Sequence, residues 1–185
     1  MDPKTIFYYL LPGAITLVGV LLAFKSDILK DGTDCEVKPY SFANTQLLWW
    51  TLIIVCTFSM YYGEHGQIIK LTKSSLILLG ISLGTITAAK IIDNTDKSTN
   101  ASRHQDKNHS SNFVIDIISD GNGISVHRFQ AFVFNVIFGL IFLNYFFTNQ
   151  QFIEFGELEL TLMGISSAAY VGLKATENKS VNPQE

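Results

Sequence analysis

The sequence predicts an all-α integral membrane protein with five transmembrane helices, the last four a tandem pair of pseudo-two-fold-related helical hairpins. Three observations predict it: long apolar stretches without charge, a strong bias of basic residues toward alternate loops, and an internal repeat without gaps. Of the 185 residues 48% are apolar and 16% are charged, with a mean hydropathy of +0.26. An apolar fraction near one half is ordinary for soluble domains. The clustering is not, because a span needs roughly 20 mainly apolar residues to cross a hydrocarbon core about 30 Å thick.

Residues 1–40 hold the first span and a polar loop. The run Ile6–Phe24 is about 18 residues long, more than an ordinary signal-peptide core, and no small-x-small cleavage site follows at Ala23-Phe24-Lys25-Ser26. It is expected to be a retained helix, with Pro12-Gly13 loosening it as membrane helices tolerate. Gln46–Tyr62, Leu76–Ala89 with its flanks, and Phe129–Phe147 are the next three spans. The fifth, Leu158–Leu173, is weaker because Ser, Ala and Gly interrupt it.

Residues 41–94 and 125–178 align at a constant offset of 84, with fourteen of 54 positions identical. The shared residues include Ser41/Ser125, Gln46/Gln130, Gly80/Gly164, Ser82/Ser166, Lys90/Lys174 and Asn94/Asn178. Common apolarity does not produce polar matches in register, so the two segments read as copies of one hairpin. Both run the same way, which predicts a pseudo-two-fold axis along the membrane normal. Ser41 and Ser125 are expected N-caps. Lys90 and Lys174 are expected to snorkel from the ends of the return helices, near the negative end of the helix dipole. Gly80, Gly84 and Ala88, with Gly164, Ala168 and Gly172, form small-residue stripes. They are expected to pack helices closely inside the monomer, the competing reading being a dimerisation or pore-lining face.

Between the copies, residues 95–124 read as a polar tether ending in a short interfacial or docked helix over Phe113–Ser119. Asp120-Gly121-Asn122-Gly123 resembles part of a calcium loop. If Gly123 took the sixth position, Ile118 and Phe129 would stand where acids are needed, so a turn is expected. His104 and His109 read as solvated. Residues 179–185 form a polar tail.

With five spans, the loops beside Lys4, Lys70 and Lys73 share one side and the other ten basic residues share the opposite side. The positive-inside rule puts the richer side in the cytoplasm, hence N-terminus outside and C-terminus inside, in a bacterial inner (plasma) membrane. Trp49 and Trp50 are then expected near the inner interface and Tyr8, Tyr9, Tyr61, Tyr62 and Tyr145 near the outer one.

The stretch from Phe113 to Gln130, with Asp116, Ser119, Asp120, Gly121, Gly123, Ser125, His127 and Arg128, resembles a block found in a widespread, poorly characterised family of bacterial multi-pass inner-membrane proteins with a duplicated two-helix unit. So does Leu162-Met163-Gly164-Ile165-Ser166 with Tyr170, Gly172 and Lys174. In that family the second block tends to read Gly-Ile-Ser-x-Gly-x-Tyr-x-Gly-x-Lys, and the first hairpin opens with Ser, Arg and Gln before a Trp. Here Asn44 replaces the Arg and Ala168 a frequent Gly. The resemblance covers about residues 41–178; it implies a membrane fold and supplies no reaction.

No nucleophile with its base, phosphate-cradling glycine loop or ion-coupling charge in mid-span is visible, so neither an enzyme nor a cofactor is expected. Net charge −3 argues against nucleic acid. Cys35 and Cys56 make no disulfide framework or metal motif. Two functions stay open. One is a small oligomeric membrane module, a pore-forming or membrane-depolarising effector in bacterial stress or antiviral response. The other is a membrane anchor or sensor binding a cytosolic partner through the 91–128 loop. The expected partners are the lipid bilayer, a second copy of the chain and a cytosolic protein. His127, Arg128, Gln130, Lys90 and Lys174 are the expected cytoplasmic-mouth contacts for ligand, lipid or partner.

Overall fold

The computed structural model describes residues 2–33, 36–99, 101, 112–120 and 123–177. His104, His109, most of the tether and the tail lie outside the described residues. The first helix, α1, runs over Pro3–Lys25; α2 is Phe42–His65, α3 Lys73–Ser98, α4 Phe113–Ile118, α5 Val126–Asn149 and α6 Glu157–Glu177. Between α4 and α5 the strands β1 (Ser119–Asp120) and β2 (Gly123–Ile124) pair antiparallel, Asp120 opposite Gly123, on either side of the expected turn, whose Gly121 and Asn122 lie outside the described residues. Helices α1, α2, α3 and α5 are long and apolar enough to cross a membrane. Helix α6 has the length, its 21 residues spanning about 32 Å at 1.5 Å each. Its composition is less apolar, with Glu157 and Glu159 in its first turn and Lys174 in its last.

The bounds of α5 lie 84 residues beyond those of α2, and α6 begins 84 beyond α3. Helix α2 ends on Gly66 at φ 64°, a left-handed conformation that glycine adopts without steric cost. Helix α5 ends 84 residues later on Gln150 at φ 53°. Ser41 and Ser125 stand at the N-cap positions as expected, but neither side chain makes a capping bond; their carbonyls accept from Thr45 and Phe129.

Helices α2, α3, α6 and α5 pack in that order around a ring. The two-fold axis expected from the repeat does not fit this order. Such an axis puts like helices across it, on the two diagonals of the ring, and at most one diagonal can be short. Here α2 lies against α5 and α3 against α6, so the hairpins stand side by side. The ring has a solid interior of Trp50, Ile53, Ile54, Leu78, Phe138, Phe142, Phe146 and Met163. Ile69, Phe152 and Phe155 from the two connectors close one end of it. That end is tied by Thr72 donating to the Ile153 carbonyl and Ser74 to that of Phe155, both at 3.2 Å.

Trp49 and Trp50 belong to this interior, not to an interfacial belt. Trp50 is fully buried and Trp49 half-buried. Asn135 on α5 holds both: its side-chain oxygen accepts from Trp50 Nε1 at 2.9 Å and its carbonyl from Trp49 Nε1 at 3.1 Å. A polar group at that depth selects indole partners, because an unpaired buried amide is costly.

The stripes are corrected too. Gly80, Gly84, Ala168 and Gly172 are exposed and Ala88 and Gly164 half-buried; a Cβ added at Gly80, Gly84, Gly164 or Gly172 would meet nothing within 4 Å. The close approaches lie elsewhere. A Cβ at Gly139 would come within 2.5 Å of Trp49 Nε1, and one at Gly63 within 2.6 Å of the Tyr8 nitrogen. Helix α3 meets α6 through its other face, with Ser82, Thr85 and Ala89 buried opposite Met163, Ser166 and Tyr170.

Helix α1 lies outside the ring, packed against α2. Its first part, Ile6–Leu10, is a π-helical turn in which the Leu11 N–H reaches back to the Ile6 carbonyl. In that pattern residue 12 would donate to Phe7, but Pro12 has no N–H. The Phe7 carbonyl instead accepts from Ser59 Oγ on α2 at 2.7 Å. Gly63, one turn on, leaves room for the backbone at Phe7 and Tyr8.

Candidate functional site at the charged end of the bundle

The end of the ring opposite the connectors gathers the loop after α1, the start of α2, the end of α3, helix α4, the start of α5 and the end of α6. Its organising residue is Lys174. The helical spacing of α6 puts Tyr170 and Lys174 one turn apart on one face, and both side chains are fully buried. Lys174 does not snorkel as expected. Its ammonium lies 3.0 Å from Asp93 Oδ2 on α3, and 3.5 and 3.4 Å from the two carboxylate oxygens of Asp31. An ammonium leaves water only when opposite charges and hydrogen bonds replace it. Lys90, its counterpart 84 residues earlier, is exposed.

Asp31 is delivered by a folded loop. Its N–H donates to the Pro39 carbonyl at 2.9 Å, Lys30 bridges to Tyr40, and the Ser41 N–H donates to Leu29 at 2.7 Å. Asn44 on α2 holds the Lys30 carbonyl at 2.9 Å. The Lys30 ammonium lies over the Tyr40 ring, 3.7 Å from its centre. At the loop's outer edge Lys38 pairs with Asp27 at 2.7 Å and holds that carboxyl below its ordinary pKa.

Helix α4 docks on the same end, one of the two placements expected for it. Asn112 caps it, accepting from the Val114 and Ile115 N–H groups at 3.1 and 3.2 Å. Ile117 is fully buried among Phe42, Ala43, Ala89, Ala131 and Tyr170. Asp116 Oδ2 accepts from the Tyr40 N–H at 3.1 Å, while its Oδ1 is buried with no partner among the described residues. The outer face of α4, the adjoining hairpin and the first residue of α5 leave Val114, Ile115, Ile124 and Val126 exposed.

Of the other expected mouth residues, His127 and Gln130 are exposed and do not join the cluster. Arg128 is half-buried, its guanidinium 5.2 Å from the centre of the Tyr170 ring, which also packs on Phe42 at 5.0 Å. Gln46, rather than its repeat partner Gln130, reaches the interior and donates to Ser167 Oγ at 3.1 Å. Sequence reasoning missed Asp31 and Asp93. Asp93 does follow Ile91-Ile92 at the end of an apolar helix, a position where an acid calls for a partner. Asp31 leaves no such mark, since a loop aspartate is ordinary.

Beside the cluster, between α2, α3 and the loop, lies a cleft of about 680 Å³. Leu47, Leu48, Thr51 and Ile86 line it toward the middle of the two helices, and Lys30, Lys90, Asn94 and Lys97 line it toward the charged end. Among the described residues no three His, Cys, Asp or Glu side chains are grouped to hold a metal ion. The arrangement can pin three segments with one buried cation, and it can receive a ligand in the cleft. No protein-family model, curated protein or solved structure matches the chain.

Proposed function

We propose that the chain is a five-span integral membrane module that offers its charged end to the cytoplasm as the docking point of a cytosolic partner. The observation that carries this reading is the organisation of that end. A buried lysine, two aspartates, a folded loop and a docked helix are concentrated there, while the other end is closed by short connectors. The basic bias of the loops supports a cytoplasmic location. The 84-residue offset in helix bounds supports descent of the two hairpins from one unit. Helix α6 serves as the fifth span in this reading: its Lys174 is neutralised in the interior and its glutamates stand at the far end, near water. The exposed Val114, Ile115, Ile124 and Val126 are the partner-facing surface.

The test is site-specific photo-crosslinking in intact cells, with the probe at Val114 or Ile115 and, as reference, at Ile68 on the connector end. The expected result is an adduct of one discrete mass from the first two positions and none from the third. Adducts to lipid alone at Val114 and Ile115 overturn the docking role.

A second reading, a homo-oligomeric effector that opens or depolarises the membrane, is favoured by the stripes. Gly80, Gly84 and Gly172 are exposed with open space above them, a surface that suits close approach of another helix. Because the ring interior is filled, conduction would have to run between copies. Mass measurement in detergent with bilayer recording decides it: a monomer without conductance removes this reading.

A further inference from the structure

We infer that the cleft between α2 and α3 is a binding site for an anionic phospholipid, with the phosphate at Lys90 and Lys30 and acyl chain against Leu47, Leu48 and Ile86.

The first support is charge. Asp27, Asp31 and Asp93 line the cleft, but each is already engaged by a lysine outside the lining, Lys38 for the first and Lys174 for the other two. Lys30, Lys90 and Lys97 also line it. Lys30 and Lys90 therefore add positive charge to a lining whose three aspartates already have lysine partners. Lys90 makes no ion pair among the described residues, and the Lys30 ammonium lies over the face of Tyr40 and acts electrostatically on Asp27 without a direct ion pair. The two hairpins differ at this point: the lysine of the second is spent on an internal ion cluster, and that of the first is left to bind.

The second support is depth. Along α2 the lining runs from Ser41 to Thr51, about 15 Å at 1.5 Å per residue. Along α3 it runs from Lys97 back to Ile86, about 16 Å. With Lys97 in the last turn of α3 and Lys90 about two turns deeper, the space starts at headgroup level and ends about halfway through a hydrocarbon core of about 30 Å. The polarity falls in the same direction, from lysine and asparagine to leucine and isoleucine. Thr51 and Lys90 are exposed, so the cleft opens sideways from the bundle, where a lipid enters. Phosphate and chain are thus matched together; a soluble phosphate compound would use the mouth and leave the apolar depth empty. Basic pockets between helices at this level bind anionic headgroups by the same physics.

The inference rests on the membrane-embedded reading, which alkaline carbonate extraction tests separately. Native mass spectrometry of the detergent-purified chain, with phosphatidylglycerol and phosphatidylcholine of the same acyl chains, tests the cleft. The parent is expected to retain phosphatidylglycerol about tenfold or more over phosphatidylcholine, since each lysine near a phosphate contributes about fivefold. Lys30→Gln with Lys90→Gln is expected to abolish the preference. Lys70→Gln with Lys73→Gln, at the far end, is expected to keep it. Thr51→Trp, which fills the cleft and spares every lysine, is expected to lose retention, so the outcome does not depend on folding of the double variant. Inorganic phosphate is expected not to displace the lipid. Equal retention of both lipids by the parent, retention by Thr51→Trp, or displacement by inorganic phosphate overturns the inference. Release of the chain by carbonate overturns the embedded reading instead.

Discussion

Lys90 and Lys174 show how two residues with the same address in a repeat acquire different chemistry. Lys174 points inward because α6 turns that face toward α3, and Asp93 and Asp31 are there to receive it at 3.0 and 3.4 Å. Removing one partner from a buried ion cluster costs about 3–5 kcal/mol, chiefly because the remaining charges stay buried unpaired. Lys174→Met is therefore expected to lower the melting temperature in detergent strongly, whereas Lys90→Met leaves it near the parent's. Adding Asp31→Asn and Asp93→Asn to Lys174→Met is expected to recover much of the loss. If the triple variant melts no higher than the single one, repulsion between the aspartates is not what destabilises it.

At the scale of elements, the attachment of α1 depends on one missing donor. Pro12 leaves the Phe7 carbonyl without its π-turn partner, and Ser59 fills the place at 2.7 Å. Ser59→Ala should leave that carbonyl unsatisfied at a cost of about 1–3 kcal/mol. Pro12→Ala restores the donor, so the double variant is expected to lose less than Ser59→Ala alone. Protease sensitivity of the first helix in detergent reads the difference, and simple additivity of the two substitutions would reject the coupling. The glycines make a second comparison between elements. Gly139→Leu drives a side chain into the Trp49 indole between α2 and α5, and overpacking of this kind costs about 1–3 kcal/mol or more. Gly80→Leu and Gly164→Leu meet open space and are expected to leave monomer stability unchanged. A large drop in melting temperature for the monomeric Gly80→Leu chain would put that stripe back inside the packed bundle.

For the whole molecule, the charge bias of the loops predicts a topology. With Cys35 and Cys56 replaced, single cysteines at Gln67 and Gln151 are expected to be labelled by an impermeant reagent from outside. Those at Glu36 and Thr99 should react only after the membrane is opened. Glu36 labelling in intact cells would reverse the orientation and with it the cytoplasmic placement of the cleft and of the docked helix.

Helix existence was legible in the chain, because apolar runs of span length act locally; extent was not everywhere, since α3 runs on to Ser98 through residues expected to belong to the 91–128 loop. The 84-residue offset seen in the sequence recurs in both bounds of α2 and α5 and in the starts of α3 and α6. The facing of side chains was not legible. In a helix bound for lipid, both faces are apolar, so periodicity does not separate the side toward a neighbour from the side toward acyl chains. That is why Gly80 and Gly164 looked like contacts and stand in open space, while Gly63 and Gly139, which carry no motif, sit at the close approaches. The side-by-side order of the hairpins was hidden for the same reason. The ion cluster was hidden for another: Asp31, Asp93 and Lys174 lie in three separate segments, and only packing α3 against α6, with the loop laid over their ends, brings them together. The sequence by itself determined the membrane class, the helices and their punctuation, since these follow from composition and short-range hydrogen bonding. Tertiary structure alone decided which lysine is buried and which is left facing the cleft, because burial of a charge depends on partners that are distant along the chain.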